Sequence, residues 1–202
     1  MISNFQSVIP QCNIILPVRD LCPCFNGQAQ NNQCGYWKDH LVLFNHTLQV
    51  TKDNAFAHYS MGFFLFNEGK IEEAIDYYNK AIRITPNYAE AHNNRGITYN
   101  KLGQHKRAIE DYNEAIRLKP HFAMPYYNRG NAYRALSQYQ QAVQDYNETI
   151  LLQPDYVEAY QNRGGVYFNQ GNDELGCRDA QKACELGNCQ PLLWTKGKGL
   201  CR

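Results

Sequence analysis

Apolar, aromatic and small residues recur along this chain every 34 residues, most clearly in the stretch 89–122. Within each period they follow the three- and four-residue spacing of a helix face. A glycine recurs as Gly62, Gly96, Gly130 and Gly164, and a tyrosine as Tyr78, Tyr112 and Tyr146. A period of this length predicts a solenoid, in which the core is a strip between neighbouring repeats rather than a central ball.

Each period predicts two helices joined by a turn. The first helix begins at about Ala55, Ala89, Ala123 or Val157, and three of the four copies end it at a glycine: Gly69, Gly103 and Gly171. A glycine there closes a helix in the left-handed conformation, so Ser137, which takes this place in the third copy, should cost some local stability. The second helix ends before Pro86, Pro120 or Pro154, because proline lacks the N–H that would continue it.

The offsets of these small residues, aromatics and prolines resemble the tetratricopeptide repeat (TPR) family. The resemblance implies an all-α, right-handed superhelix of helix–turn–helix units. We expect repeats at 55–88, 89–122 and 123–156, and a degenerate, capping fourth repeat at 157–190. The flanks are then an irregular cysteine-containing segment (1–35), a solitary helix or half repeat (36–54) and a C-terminal cap (191–202) that folds back onto the fourth repeat.

The solitary helix carries a second resemblance. Its pattern is similar to the start of the TPR tails of multi-spanning membrane glycosyltransferase-like proteins. The matching residues are Tyr36, Trp37, Asp39, Leu43, Phe44, His46, Leu48, Val50, Ala57, His58, Tyr59 and Gly62. This likeness implies, as a second hypothesis, that the chain is a substrate-recruiting tail of a membrane glycosyltransferase-like system, as a fragment or a detached relative. It implies a membrane-protein partner and favours an extracytoplasmic, periplasmic location over the cytoplasm.

The TPR resemblance also implies a function, which is the binding of a protein or extended peptide in a concave groove lined by the first helices. The candidate groove residues are Phe56, Tyr59, Phe63, Phe66, Asn93, Asn94, Ile97, Tyr127, Asn128, Asn131, Arg134, Gln161 and Asn162. Asn94, Asn128 and Asn162 form a ladder whose amides could hold a peptide backbone. Alternatively, asparagine is simply common there in TPRs. The aromatic stripe of the first repeat is either an open docking surface or covered by the solitary helix or the N-terminal segment.

Several partners and activities are not expected. The formal charge of +1 gives no reason to expect nucleic acid. The groove positions lack the basic residues with which some TPR modules clamp the acidic C-terminus of heat-shock chaperones. No nucleophile–base pair, phosphate loop or carboxylate cleft is evident, so we predict a non-catalytic scaffold without cofactor or metal. A third hypothesis is a homo-oligomer joined through the aromatic end, which Phe63→Glu would disrupt.

The eight cysteines lie in two groups of four, outside the three regular repeats. This clustering suggests disulfides and an oxidising compartment, or metal sites. Cys177 and Cys184 are seven residues apart on one helix, about 10 Å at ~1.5 Å per residue, which is too far for a mutual bond. We therefore predict Cys184–Cys189 and Cys177–Cys201, against the alternatives of free thiols or zinc.

Charged residues also vary together between repeats. Repeats two to four carry Arg95, Arg129 and Arg163 on the first helix and Asp111, Asp145 and Asp179 on the second. In the first repeat both positions change, to Met61 and Tyr77. We therefore predict that each arginine binds the aspartate of its own repeat through paired hydrogen bonds. The alternative is exposed charges that contribute little.

Overall fold

The computed structural model describes residues 53–201, and within this range the regular structure is entirely helical. Nine helices follow one another: α1 (Ala55–Asn67), α2 (Ile71–Ile84), α3 (Ala89–Lys101), α4 (His105–Leu118), α5 (Ala123–Ala135), α6 (Tyr139–Leu152), α7 (Val157–Asn169), α8 (Asp173–Glu185) and α9 (Gln190–Gly197). The predicted first-helix starts are confirmed. Among these helices, none combines the length and the apolar character that a membrane span requires.

The helix ends follow the predicted turn chemistry. Gly69, Gly103 and Gly171 have φ angles of 79°, 73° and 74°, and Ser137 adopts the same left-handed conformation at 59°. Each of α2, α4 and α6 ends two residues before the proline of its repeat. Residues 36–52 of the predicted solitary helix lie outside the described range. Its last residue, Asn54, instead caps α1, because its side chain accepts a hydrogen bond from the Ala57 N–H.

The first eight helices pack as four hairpins: α1 with α2, α3 with α4, α5 with α6 and α7 with α8. The second helix of each of the first three hairpins also packs on the first helix of the next one. The first helices α1, α3, α5 and α7 contact one another in succession, whereas no comparable packing joins the second helices within residues 53–201. The row of first helices is therefore the more closely spaced one and forms the inner side of the curve.

A ring-on-glycine contact brings the two helices of each regular repeat together. Tyr112 is fully buried, and a Cβ placed on Gly96 would lie 2.7 Å from its Cε1 atom. Gly62 with Tyr78 and Gly130 with Tyr146 repeat this contact. Because no side chain larger than hydrogen fits there, the glycine of this position is required by packing.

The predicted arginine–aspartate pairs are present in all three repeats. Arg129 donates from Nε and Nη2 to the two carboxylate oxygens of Asp145, at 2.8 and 2.6 Å. Its Nη1 donates to Asn113 of the preceding repeat at 2.5 Å. Arg95 and Arg163 make the equivalent bonds, to Asp111 with Asn79 and to Asp179 with Asn147. Each arginine therefore joins three helices, a role that extends beyond its own repeat.

The C-terminal residues fold back as α9, which packs against α8. Disulfides join Cys177 to Cys201 and Cys184 to Cys189, as predicted, so these four cysteines are neither free thiols nor zinc ligands. One bond lies just before α9 and the other just after it, so both ends of this short helix are tied to α8. The cysteines at 12, 22, 24 and 34 lie outside the described residues.

Candidate binding groove

Large apolar side chains are exposed on two of the first helices. Phe56 and Phe63, one above the other on α1, are 64% and 51% exposed, and Met124 on α5 is 42% exposed. Phe66 is half-buried beneath the Lys101 ammonium, 4.8 Å from its ring centre. Several large apolar side chains exposed on the same face are informative, because such patches often mark the site where a protein binds a partner.

Two tyrosines of the groove rest on other tyrosines. Tyr127 lies 4.9 Å from Tyr156 and 6.0 Å from Tyr146, measured between ring centres. Tyr59 in the first repeat has the same neighbours, Tyr88 at 5.0 Å and Tyr78 at 6.1 Å. Burial and the nearby Glu90 charge raise the pKa of Tyr59. The hydrogen bond from Asn94 acts in the opposite direction but does not outweigh them. Both groove tyrosines are thus held in fixed orientations by the rings beneath them.

The asparagine ladder is built differently from the prediction. Asn94 donates to the Tyr59 hydroxyl, and Asn128 donates to the Asn93 carbonyl oxygen, each at 3.0 Å. Asn162 donates to the hydroxyl of Tyr127 and to Oδ1 of Asn131, each at 2.9 Å. The amide N–H groups therefore connect successive first helices. Within residues 53–201, the side-chain oxygens of Asn128 and Asn162 receive no hydrogen bond, so these acceptors are available.

One candidate groove residue is not on the surface at all. Asn93 is 1% exposed, and its amide is used by Asn94, Asn128 and the Met124 sulfur. Asn93 therefore offers almost no surface to a ligand in this conformation, and its contact with a ligand stays a prediction. Ile97 is partly buried against the cluster of Ala108, Tyr112 and Ala132, so its contribution is mainly to packing.

The remaining candidates are partly or fully accessible. Arg134 on α5 is exposed, while Gln161 on α7 and Asn131 on α5 are half-buried. Asn131 accepts a hydrogen bond from the Tyr146 hydroxyl at 2.8 Å, which positions its amide. Cations are sparse at the first-helix positions that the TPR resemblance maps to the groove, where Lys101 and Arg134 are the basic side chains.

Sequence reasoning missed two parts of the site. Tyr88 and Tyr156, which support the groove tyrosines, precede the first helices and recur with Phe122 at the repeat period, a signal that was present in the sequence. It also missed a cavity of about 150 Å³ at the C-terminal end, between α7, α8 and α9. The sequence did contain a signal for that cavity, because Ala180 replaces the large tyrosine that recurs at this position in the other repeats.

Comparison with protein families agrees with the repeat assignment. A model described as TPR repeat matches residues 64–103 and 130–171. Two models described as tetratricopeptide repeat match residues 89–122 and 111–144. Together the matches extend from residue 64 to residue 171, more than half of the chain. A comparison with curated proteins produced no match.

Solved structures with the same fold include a crystal structure of MamA, 22% identical, which has a TM-score of 0.70 over 80% of this chain and 96% of that one. MamA residues 41 to the end from Desulfovibrio magneticus RS-1 are 21% identical, with a TM-score of 0.69 over 79% and 90%. The first TPR of Spaghetti (RPAP3), bound to the HSP90 peptide SRMEEVD, is 29% identical, with a TM-score of 0.57 over 58% and 93%. The MamA likenesses concern the fold alone.

Proposed function

Because this chain belongs to the tetratricopeptide repeat family, we propose that it is a non-catalytic scaffold that binds an extended segment of a partner protein along the inner face of α1, α3, α5 and α7. The observation that carries this proposal is the distribution of exposed apolar side chains. Phe56, Phe63 and Met124 lie on this face, whereas Leu151 is the large exposed apolar residue of the described second helices.

The corrected ladder suggests how a backbone would be held. A peptide in extended conformation has unpaired N–H groups, and the side-chain oxygens of Asn128 and Asn162 are acceptors one repeat apart. Their positions are fixed because their own N–H groups are bonded to the preceding helix. A prearranged acceptor loses little freedom on binding, which favours affinity without a strict sequence requirement. The apolar residues of α1 would then supply side-chain preference at one end.

The neighbour that holds SRMEEVD provides a probe for this chain. An acidic peptide tail needs several cations around its carboxylates, and the mapped groove positions offer Lys101 and Arg134. We expect SRMEEVD to show no saturable binding at 1:1 stoichiometry when titrated into the full chain by calorimetry. A saturable 1:1 isotherm, lost in Arg134→Ala, would mean that this groove is a carboxylate clamp after all.

A direct test selects peptides for the full chain from a random peptide library and measures their affinity by fluorescence anisotropy. We expect Phe63→Ala to weaken the selected peptide by about tenfold or more, because a contacted aromatic side chain is removed. The matched control is Leu151→Ala, which removes an even more exposed apolar side chain from a second helix.

The control decides the location. Unchanged affinity in Phe63→Ala and in the α5 variant Arg134→Ala, together with loss in Leu151→Ala, would place binding on the outer face and overturn the proposal. Loss in the groove variants with an unchanged Leu151→Ala would support it. Circular dichroism on each variant establishes that the exposed substitutions leave the fold intact.

A further inference from the structure

The fourth repeat lacks a ring that the other repeats use to fill their core. Tyr78, Tyr112 and Tyr146 are each fully buried against a glycine of the facing helix. Ala180 stands at this position in the fourth repeat, while the facing glycine, Gly164, is retained. A Cβ on Gly164 would meet no ring, its nearest neighbours being atoms of Asp179, Gly176 and Ala180. The glycine is therefore retained although no ring from α8 packs on it.

That space is a cavity of about 150 Å³. Its lining includes the small residues Gly164, Gly176 and Ala180 and the aromatic rings of Phe168 and Trp194. Phe168 occupies part of the vacated volume, because a Cβ on Gly176 would lie 2.6 Å from Phe168 Cε1. The other repeats have alanine at the Gly176 position, so the pairing of Phe168 with Gly176 is specific to this repeat.

The wall of the cavity is fixed on its outer side. Trp194 belongs to α9, which the two disulfides tie to α8 at both ends. Thr195 of the same helix is buried, and its hydroxyl donates to the Leu192 carbonyl oxygen at 2.9 Å. This hydrogen bond satisfies the hydroxyl within α9. Trp194 itself is 59% exposed at the rim. A preformed pocket with an exposed tryptophan at its mouth costs little reorganisation to fill.

We propose that this pocket accepts a phenylalanine side chain from the peptide bound in the groove. Gln161 and Gly165, at two of the predicted groove positions of α7, line the cavity, so the cavity adjoins the proposed groove. The size suits one ring, since apolar cavities of about 150 Å³ in other proteins bind benzene. The inference rests on the proposed function, because the side chain belongs to the same bound segment.

The scarcity of polar groups in the lining favours phenylalanine over tyrosine, because Gln161 and Thr195 are its polar side chains and the Thr195 hydroxyl is already bonded to Leu192. The Tyr146 hydroxyl donates to Asn131, and the residue one period later, in the wall of the cavity, is Gly165. Tyr112 shows the consequence of an apolar residue at this position, since it faces Ile97 and its hydroxyl has no hydrogen-bond partner. A buried hydroxyl without a partner is unfavourable, so a plain phenyl ring is the better occupant.

The pocket is tested first without any peptide, by titrating toluene and p-cresol into the full chain and following the Ala180 methyl signal by NMR. We expect saturable shifts with toluene, and binding of toluene at least as tight as that of p-cresol. Ala180→Tyr restores the repeated ring and should abolish the toluene shifts, followed on the Thr195 signal. Gln181→Tyr is the matched control, because it adds the same side chain at an exposed position of α8 and should leave toluene binding unchanged.

The library-selected peptide then connects pocket and groove. We expect it to displace toluene from the unaltered chain, and to bind Ala180→Tyr about 10- to 100-fold more weakly while binding Gln181→Tyr normally. The displacement experiment needs no variant, so it stands even where Ala180→Tyr fails to fold.

Failure of the pocket and failure of the groove give different results. Absent toluene binding, tighter binding of p-cresol, or toluene that the peptide does not displace would each overturn the pocket, even while Phe63→Ala still weakened the peptide. Peptide affinity that ignores both Phe63→Ala and Arg134→Ala would instead overturn the proposed groove.

Discussion

Tyr112 and Tyr146 occupy the same position in successive repeats and are equally buried, but their hydroxyls have different surroundings. The Tyr146 hydroxyl donates to Asn131, whereas that of Tyr112 has no hydrogen-bond partner. Burial raises the pKa of both phenols far above the ordinary value, so both remain protonated throughout the neutral range. The hydroxyl group should therefore have opposite effects on stability at these two equivalent places.

Removing the two hydroxyls should shift stability in opposite directions. Tyr112→Phe eliminates an unpaired buried hydroxyl and should raise the free energy of unfolding by up to about 1 kcal/mol. Tyr146→Phe removes a satisfied hydrogen bond and should lower it by about 1 kcal/mol. Urea denaturation of both variants measures the two values. Equal losses in the two variants would contradict the structural distinction.

The arginine–aspartate pairs are buried enough for each partner to depend on the other. The Asp145 side chain is 5% exposed and that of Arg129 is 19% exposed. Burial lowers the pKa of Arg129, but hydrogen bonding and the charge of Asp145 outweigh it, so the guanidinium pKa is raised overall. The first repeat shows that apolar residues replace the pair, since Met61 there is buried and Tyr77 packs on His58.

A double-mutant cycle measures this dependence. Arg129→Met alone should cost about 3 kcal/mol or more, because it leaves the Asp145 carboxylate buried and unpaired. Adding Asp145→Tyr, the combination of the first repeat, should cost about 1–3 kcal/mol less than the sum of the single changes. The exposed pair Lys182–Glu185 serves as the control and should show no measurable coupling. Additive losses at Arg129 and Asp145 would exclude coupling.

The repeats differ in the conformational strain of the backbone at the turn between their two helices. Ser137 is the non-glycine residue of the described range with a positive φ, at the turn between α5 and α6. The equivalent Gly103 has open space around its Cα, so an added methyl group there would test backbone strain without a clash. The third repeat therefore pays a conformational penalty that its neighbours avoid.

Exchanging these residues should reveal the penalty. Ser137→Gly should stabilise the chain by about 0.5–1 kcal/mol, the left-handed strain of ~1–2 kcal/mol less the greater freedom of glycine in the unfolded state. Gly103→Ala should destabilise it by about 1 kcal/mol for the converse reason. Thermal and urea denaturation of both variants provide the values. Destabilisation by Ser137→Gly would show that the serine side chain contributes more than its backbone costs.

The helices and their pairing could be predicted from the sequence because the period determines both. The effects of Gly96, Tyr112 and the prolines are confined to one helix end or one helix pair, so they could be read from the sequence. The joint change of the Arg129 and Asp145 positions between repeats also predicted a contact between two helices. The burial of Asn93 could not be predicted in this way, because it depends on how closely α3 and α5 approach. The cavity beside Ala180 could not be predicted either, because it depends on where α9 packs.

The array is quasi-one-dimensional, so a change at one end should stay local. Both described disulfides lie in the last repeat and its cap, and they close loops of different length. Cys177 and Cys201 are 24 residues apart, whereas Cys184 and Cys189 are five apart. The chain-entropy argument assigns about 3.5 kcal/mol to the longer loop and about 2 kcal/mol to the shorter one.

Replacing Cys177 and Cys201 together by serine should therefore release α9 more than replacing Cys184 and Cys189. Hydrogen–deuterium exchange should accelerate in α8 and α9 and remain unchanged in α1 to α4. The double variant in which serine replaces Cys184 and Cys189 is the matched control, because it also removes one disulfide. Uniform acceleration along residues 53–201 would show that the array unfolds as one unit and that the ends are not independent.

Along residues 53–201, an outer row of second helices lies behind an inner row of first helices that carries aromatic, amide and apolar groups. The most direct measurement of its role is the NMR mapping of the library-selected peptide on the isotope-labelled full chain. The account predicts shifts concentrated on exposed and half-buried inner positions, from Phe63 through Asn128 to Asn162, and extending to Ala180. Shifts concentrated on the outer faces of α2, α4 and α6 would contradict it.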